Sequence, residues 1–283
     1  MITAAGKDHI RRFLAGYETA IAKSISVGIG NAAENAADIC LQLEVSNTVV
    51  NSVTYDFANN KLLFKGSLED DTQANIYEIG LYSLQSNPAA AGYGSRIITT
   101  FDSVTESWMN TATGNPSNFD STVTRIGIDS LVQTPSASNT EVSNLANLTL
   151  DLSGNSGNDT FTFAYNVNNS NTNNITIKFI TDSSNYYYYS LGAQTTGYKF
   201  VSVTKGSASV TGSPNWAAIN QIQVETNSKA SGASSVEFEA IRIEDRDSQN
   251  LDFVLVARKV LTTPITKLAG QALDVEYSMD VLL

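Results

Sequence analysis

Polar and apolar positions change period several times along the chain. From residue 4 to 22, Ile10, Phe13, Leu14, Tyr17 and Ile21 recur at the spacing of one helical face, which predicts the one long helix. Ile25, Val27 and Ile29 then alternate with Ser24, Ser26 and Gly28, the period of a half-buried strand that Gly30-Asn31 closes. The alanine-rich stretch 32–37 suits one or two helical turns. Strand-like runs follow at 41–45, 49–57, 61–67 and 76–82. Asn59-Asn60 suits a tight hairpin turn because asparagine tolerates positive φ.

The stretch Asn87-Pro88-Ala89-Ala90-Ala91-Gly92-Tyr93-Gly94-Ser95 has linker character, and beyond it Asn, Ser, Thr and Gly dominate. Residues 131–235 hold only nine charged side chains, a composition compatible with disorder. Against disorder, apolar alternation recurs at 148–152, 161–167, 175–180, 198–203, 219–224 and 236–243, each run bounded by turn residues, which predicts a sandwich. Near the carboxyl end, 251–261 is a long strand-like run punctuated by Pro264. Residues 273–281 place Leu273, Val275, Tyr277, Met279 and Val281 on one face against acidic and polar neighbours. An isolated hairpin is marginal in water, so these last strands need a sheet, and the amino-terminal region has the incomplete set. The expected fold is mainly β: an α+β docking domain, one N-terminal helix on an antiparallel sheet, formed by residues 1–95 plus 248–283. A β-sandwich jelly roll, residues 96–247, is inserted in it.

Of 283 residues, 42% are hydrophobic and 16% charged, as expected of a folded chain. Lys and Arg number 17 against 28 Asp and Glu, a net charge of −11 that repels phosphate backbones, so nucleic acid is not an expected partner. Cys40 and His9 are single, which excludes an internal disulfide and sites built from several Cys or His ligands. No apolar run approaches the roughly 20 residues that cross a bilayer, and Glu18 interrupts the stretch after Lys7, Arg11 and Arg12, so neither membrane insertion nor a secretory signal is expected.

Two segments resemble known families. Ala5-Gly6 entering a helix, Ile25-Ser26-Val27-Gly28-Ile29-Gly30, Leu43-Glu44 and Ile76-Tyr77-Glu78-Ile79-Gly80-Leu81-Tyr82 together resemble the attachment domains of bacteriophage tail-fibre and related virion proteins. Phe101-Asp102-Ser103 with Trp108, Asp151-Leu152-Ser153-Gly154, Thr181-Asp182-Ser183-Ser184-Asn185-Tyr186 and Phe238-Glu239-Ala240-Ile241-Arg242-Ile243-Glu244-Asp245 follow the order of carbohydrate-binding, galactose-binding-like jelly rolls. The first resemblance implies a non-enzymatic structural protein of a tailed bacteriophage virion, at the tail, baseplate or fibre attachment, assembled in the host cytoplasm. Its partners would be other virion proteins and copies of itself, with host-surface glycans held by the outward module. Capsid decoration and a free sugar-binding protein are the alternatives.

Consecutive strand residues point to opposite faces, so Tyr186 falls with Tyr188 and Tyr187 with Tyr189. One pair exposed would stack on sugar rings; the competing placement has one pair in the core and the other under a loop or a neighbouring subunit. Trp108 and Trp216 either line a groove or cap the core, and Tyr186, Tyr188 and Trp216 are the candidate glycan-binding set. The oxygen-rich 151–159 stretch suits a hard cation or, more simply, a polar turn, and it lacks the acidic spacing of a calcium-binding helix-loop-helix. No metal or other cofactor is expected. His9, on the polar flank of the helix, and Cys40 read as structural. Glu237, Glu239, Glu244 and Asp245 offer carboxylates, but a glycosidase needs two of them flanking a sugar, and no aromatic-rich cleft surrounds them in sequence, so no catalysis is expected.

Overall fold

The computed structural model describes residues 1–84, 95–122, 124–246 and 253–280. The chain divides into two compact units, Met1–Asn87 with Arg246–Leu283, and Pro88–Asp245. The sequence boundaries at 95/96 and 247/248 fall eight and two residues after these limits. The expected linker at 87–94 lies outside the described residues, as do positions 251, 252 and 281 of the expected final strands.

The first unit opens with α1 (Ala4–Leu14), β1 (Ser24–Gly28), β2 (Glu44–Val49), β3 (Ser52–Asp56), β4 (Lys61–Leu68) and β5 (Ala74–Tyr82). The second unit contains β6 (Arg96–Thr99), β7 (Met109–Asn110), β8 (Asn118–Asp120), β9 (Ser130–Gln133), β10 (Thr140–Leu145) and β11 (Thr160–Val167). It continues through β12 (Thr172–Asp182), β13 (Asn185–Ser190), β14 (Gly197–Thr204), β15 (Ser209–Thr211), β16 (Gln221–Ser228) and β17 (Val236–Glu244). The chain then returns to the first unit as β18 (Leu255–Lys267) and β19 (Leu273–Asp280).

In the first unit the strands form two antiparallel sheets, β18-β5-β1-β2 and β19-β4-β3. Both carboxyl-terminal strands therefore complete sheets begun by the first 82 residues, β18 on β5 and β19 on β4. Thr3 caps α1 by accepting the Gly6 amide at 2.9 Å, and Gly6 lets the helix settle on β18, since a Cβ there would lie 2.0 Å from the Val256 carbonyl oxygen. The helix is shorter than expected. Gly16 at φ 80° ends it in the left-handed region, and Leu14 and Tyr17, placed by periodicity on a buried face, are exposed. His9 faces inward instead of lying on a polar flank, and its Nε2 pairs with the Ala20 carbonyl at 3.1 Å. No helix forms at 32–37, because Asn35 and Asp38 side chains take the amides of Ala37 and Asn35 in a local turn. β1 is buried on both faces, not one. Pro264 does not end β18, as a register shift between Val260 and Ile265 accommodates it.

The second unit is a sandwich of two six-stranded sheets: the β13 sheet, β15-β13-β12-β16-β10-β7, and the β17 sheet, β14-β11-β17-β9-β8 with β6 as its sixth strand, paired to β17. Alternate residues from both sheets, including Phe161, Phe163, Ile177, Phe179, Val224 and Phe238, fill the space between them. Trp108 belongs to this core, stacked on Phe101 with centroids 4.6 Å apart and donating Nε1–H to Glu106 at 2.7 Å. The expected strand at 148–152 reduces to one bridge, Leu150 to Ile219, although Leu152 is fully buried.

Candidate ligand-binding face

β13 carries four consecutive tyrosines, and the sandwich separates them by parity. Tyr187 and Tyr189 turn towards the core. The Tyr189 hydroxyl donates to the Lys205 carbonyl at 3.0 Å, and Tyr187 donates to the Pro214 carbonyl at 2.8 Å. Tyr186 and Tyr188 stand on the outer face of the β13 sheet, half-buried, with ring centroids 6.0 Å apart.

The pairing places polar side chains in rows beside them. Tyr186 is opposite Ile180, itself opposite Gln221; Tyr188 is opposite Lys178, itself opposite Gln223; and Thr176 is opposite Glu225. Lys178 forms an ion pair with Glu225 while its ammonium lies 5.3 Å from the Tyr186 ring centroid. Gln223 donates to the same carboxylate at 3.1 Å, so the glutamate fixes two of its neighbours. Asp182, at the end of β12, is held below the usual carboxylate range by hydrogen bonds from the Asn185 side chain and the Ser184 amide, and stays ionised. Between them lies a groove of about 520 Å³, lined by Lys178, Ile180, Asp182, Tyr186, Gln221 and Gln223 among others. It offers a flat apolar ring face, amide donors and acceptors, the Lys178–Glu225 ion pair and the hydrogen-bonded Asp182 carboxylate.

Trp216 does not join this face. It sits on a 3-10 turn at Trp216–Ala218, stacks on Tyr187 at 3.8 Å with planes 6° apart, and packs against Phe161 and Phe179. Of the candidate set, Tyr186 and Tyr188 therefore come together and Trp216 is a core cap on the opposite side of β13. Lys178, Gln221, Gln223 and Glu225 escaped the sequence reading, although their alternation with Ile177, Phe179, Ile222 and Val224 was the signal that would have found them.

The oxygen-rich 151–159 stretch is organised by cations of the chain itself. Lys205, 6% exposed, donates Nζ–H to the Asn155 carbonyl at 2.6 Å, and Arg96 donates to the Asp151 carbonyl at 2.7 Å. Asp159 accepts from Asn155 and the Ser156 amide, and Asp151 from Ser153. Burial lowers the Lys205 pKa, with Asp159 and Asp151 opposing the shift. Among the described residues no cluster of three or more metal-ligating side chains occurs, and no helix is long and apolar enough to cross a membrane.

The buried carboxylates of β17 face outward from the β17 sheet, away from the groove. Glu237 accepts from Asn166 and Asn168 at 3.0 and 2.8 Å. Glu239 accepts the Arg125 and Ile126 amides at 3.0 and 3.4 Å.

No family model matches the chain, and no curated protein does. Among solved structures it is similar to an agarase, AgWH50C, at 11% identity and TM-score 0.41 over 54% of this chain and 25% of that one. It is also similar to a non-crystalline cellulose specific carbohydrate-binding module, CBM28, at 11% identity and TM-score 0.35, over 56% of this chain and 99% of that one. A family 11 module from Clostridium thermocellum, in complex with a mixed-linked tetrasaccharide, is similar at 11% identity and TM-score 0.33, over 61% and 95%. The chain spans about a quarter of the length of the first solved structures it is similar to. Likeness of this degree assigns neither ligand nor activity.

Proposed function

We propose that the Pro88–Asp245 unit is a non-enzymatic glycan-binding module that holds a neutral sugar chain along the outer face of the β13 sheet. The single observation that carries this reading is the placement of Tyr186 and Tyr188 side by side above a groove edged by Gln221, Gln223 and the Lys178–Glu225 pair. Ring faces stack on the C–H faces of pyranoses, and fixed amides discriminate hydroxyl positions. Asp182, Glu225 and a net charge of −11 favour a neutral over an acidic polysaccharide.

A glycan array and titration calorimetry on the full chain test this. Tyr186→Ala and Tyr188→Ala are expected to weaken binding at least tenfold with the fold retained. No binding by the unsubstituted chain to any neutral glycan sinks the reading.

A second reading, display on a bacteriophage particle at the tail or as a capsid decoration, rests on the insertion: β18 and β19 return to sheets begun by β5 and β4, so the sandwich is looped out of the first unit. Mass spectrometry of purified particles tests it, and absence of the protein from virions rejects it.

A further inference from the structure

The outer face of the β17 sheet, opposite the candidate glycan face and independent of it, carries a second arrangement. The ladder between β17 and β11 pairs Phe238 with Tyr165 and Ala240 with Ala164, so Glu239 is the extra residue of a bulge. Bulges re-aim single side chains, and this one sends a fully buried carboxyl under residues 124–128. Its Oε2 accepts the consecutive amides of Arg125 and Ile126, while Oε1 is buried with no hydrogen-bond partner among the described residues. The strap so held lays the Arg125 guanidinium 3.7 Å over the Tyr198 ring, with Phe200 next to it at 5.2 Å. At the other end of the strap, Asp102 accepts the Ile128 amide at 2.9 Å and is closely approached by Gly127, φ 75°.

We propose that residues 124–128 are a pH-operated strap, closed over Tyr198 and Phe200 when Glu239 is protonated and released when it ionises. As a neutral acid, Glu239 keeps both amide bonds through its carbonyl oxygen and leaves one hydroxyl unmet. As a carboxylate it leaves an anionic oxygen buried without a donor, a cost that opening to water removes. The charges acting on it are Arg125 from the strap, which favours ionisation, and Glu237 two residues away on β17, which opposes it; further along β17, Arg242 is paired with Glu244. Burial outweighs the rest and lifts the Glu239 pKa to about 7. The closed state thus binds the proton more tightly than an open state at the ordinary 4.5, and opening rises with pH by at most about 70-fold between pH 5 and pH 8.

Hydrogen exchange on the full chain, corrected for intrinsic rates, reads this directly. Protection of the Arg125 and Ile126 amides is expected to fall by tens of fold from pH 5 to pH 8, while the Ile79 amide, in β5 of the first unit between β1 and β18, keeps its protection. Glu239→Gln, which retains an acceptor but no ionisation, is expected to flatten the profile; Glu237→Gln is expected to keep it and shift it to lower pH. Protection that does not change with pH in the unsubstituted chain, or a pH dependence that survives in Glu239→Gln, overturns the proposal. Should Glu239→Gln fail to fold, the unsubstituted chain and Glu237→Gln decide alone.

Discussion

Arg258 and Glu78, 180 residues apart in sequence, form a buried ion pair at 2.8 Å. Glu78 is fully buried and also accepts the Gly30, Gln42 and Leu43 amides, while Arg258 reaches Asp38 and the Ala32 carbonyl. The glutamate of the Glu-Ile-Gly-Leu-Tyr run is thus the point where the returning chain is tied to the loop before β2. Gly28 and Gly30 permit it, since a Cβ at either would lie within 2.6 Å of the Glu78 carboxylate.

Breaking that pair is expected to unfold the first unit selectively. Glu78→Ala leaves the buried guanidinium only its part-buried partner Asp38 and the Ala32 carbonyl and strands three amides, a loss of about 3–5 kcal/mol. Glu78→Gln keeps an acceptor for the amides and loses less. Calorimetric melting, with hydrogen exchange to show which unit opens, checks both; an unchanged melting profile for Glu78→Ala refutes the assignment.

The tyrosine parity predicts opposite phenotypes for neighbouring residues. Trp216→Ala removes the plate stacked on Tyr187 and is expected to cost about 2–3 kcal/mol in denaturant unfolding, less than a fully buried tryptophan because the ring is half-buried. Tyr188→Ala on the outer face is expected to cost under about 1 kcal/mol while lowering glycan affinity. If Trp216→Ala proves harmless to stability, the core-cap placement fails.

Because Lys205 and Arg96 already satisfy the 151–159 loop, chelator or added calcium is expected to leave the melting temperature unchanged. Lys205→Met, by contrast, strands the Asn155 carbonyl and is expected to cost about 1–3 kcal/mol. A calcium-dependent rise in melting temperature of the unsubstituted chain would contradict this.

Glu239 also sets a pH dependence of global stability. Its native pKa, about 7, is raised above 4.5, so its contribution is fully present below pH 4.5 and is lost as pH rises through 7. The difference amounts to roughly 3 kcal/mol by pH 8. Urea titrations from pH 4.5 to 8 are expected to show that component disappear in Glu239→Gln, which is the more stable form at pH 8.

Alternation and turn residues determined, without coordinates, the mainly β class, the return of the last strands to the first sheets and the split of the four tyrosines into two pairs, because a strand's period of two is a local property of the backbone. The Asn59-Asn60 turn was equally legible, and Asn60 does take φ 53°. Helix length was not, since the periodic stretch 4–22 continues past the point where Gly16 turns the chain away. Only the tertiary structure decided which tyrosine pair meets the core, that Trp216 covers Tyr187, that Lys205 occupies the polar loop, and that a one-residue bulge aims Glu239 at the Arg125 and Ile126 amides. Each of those outcomes depends on what packs opposite a side chain from a distant strand, and burial of that kind has no signature in the spacing of nearby residues.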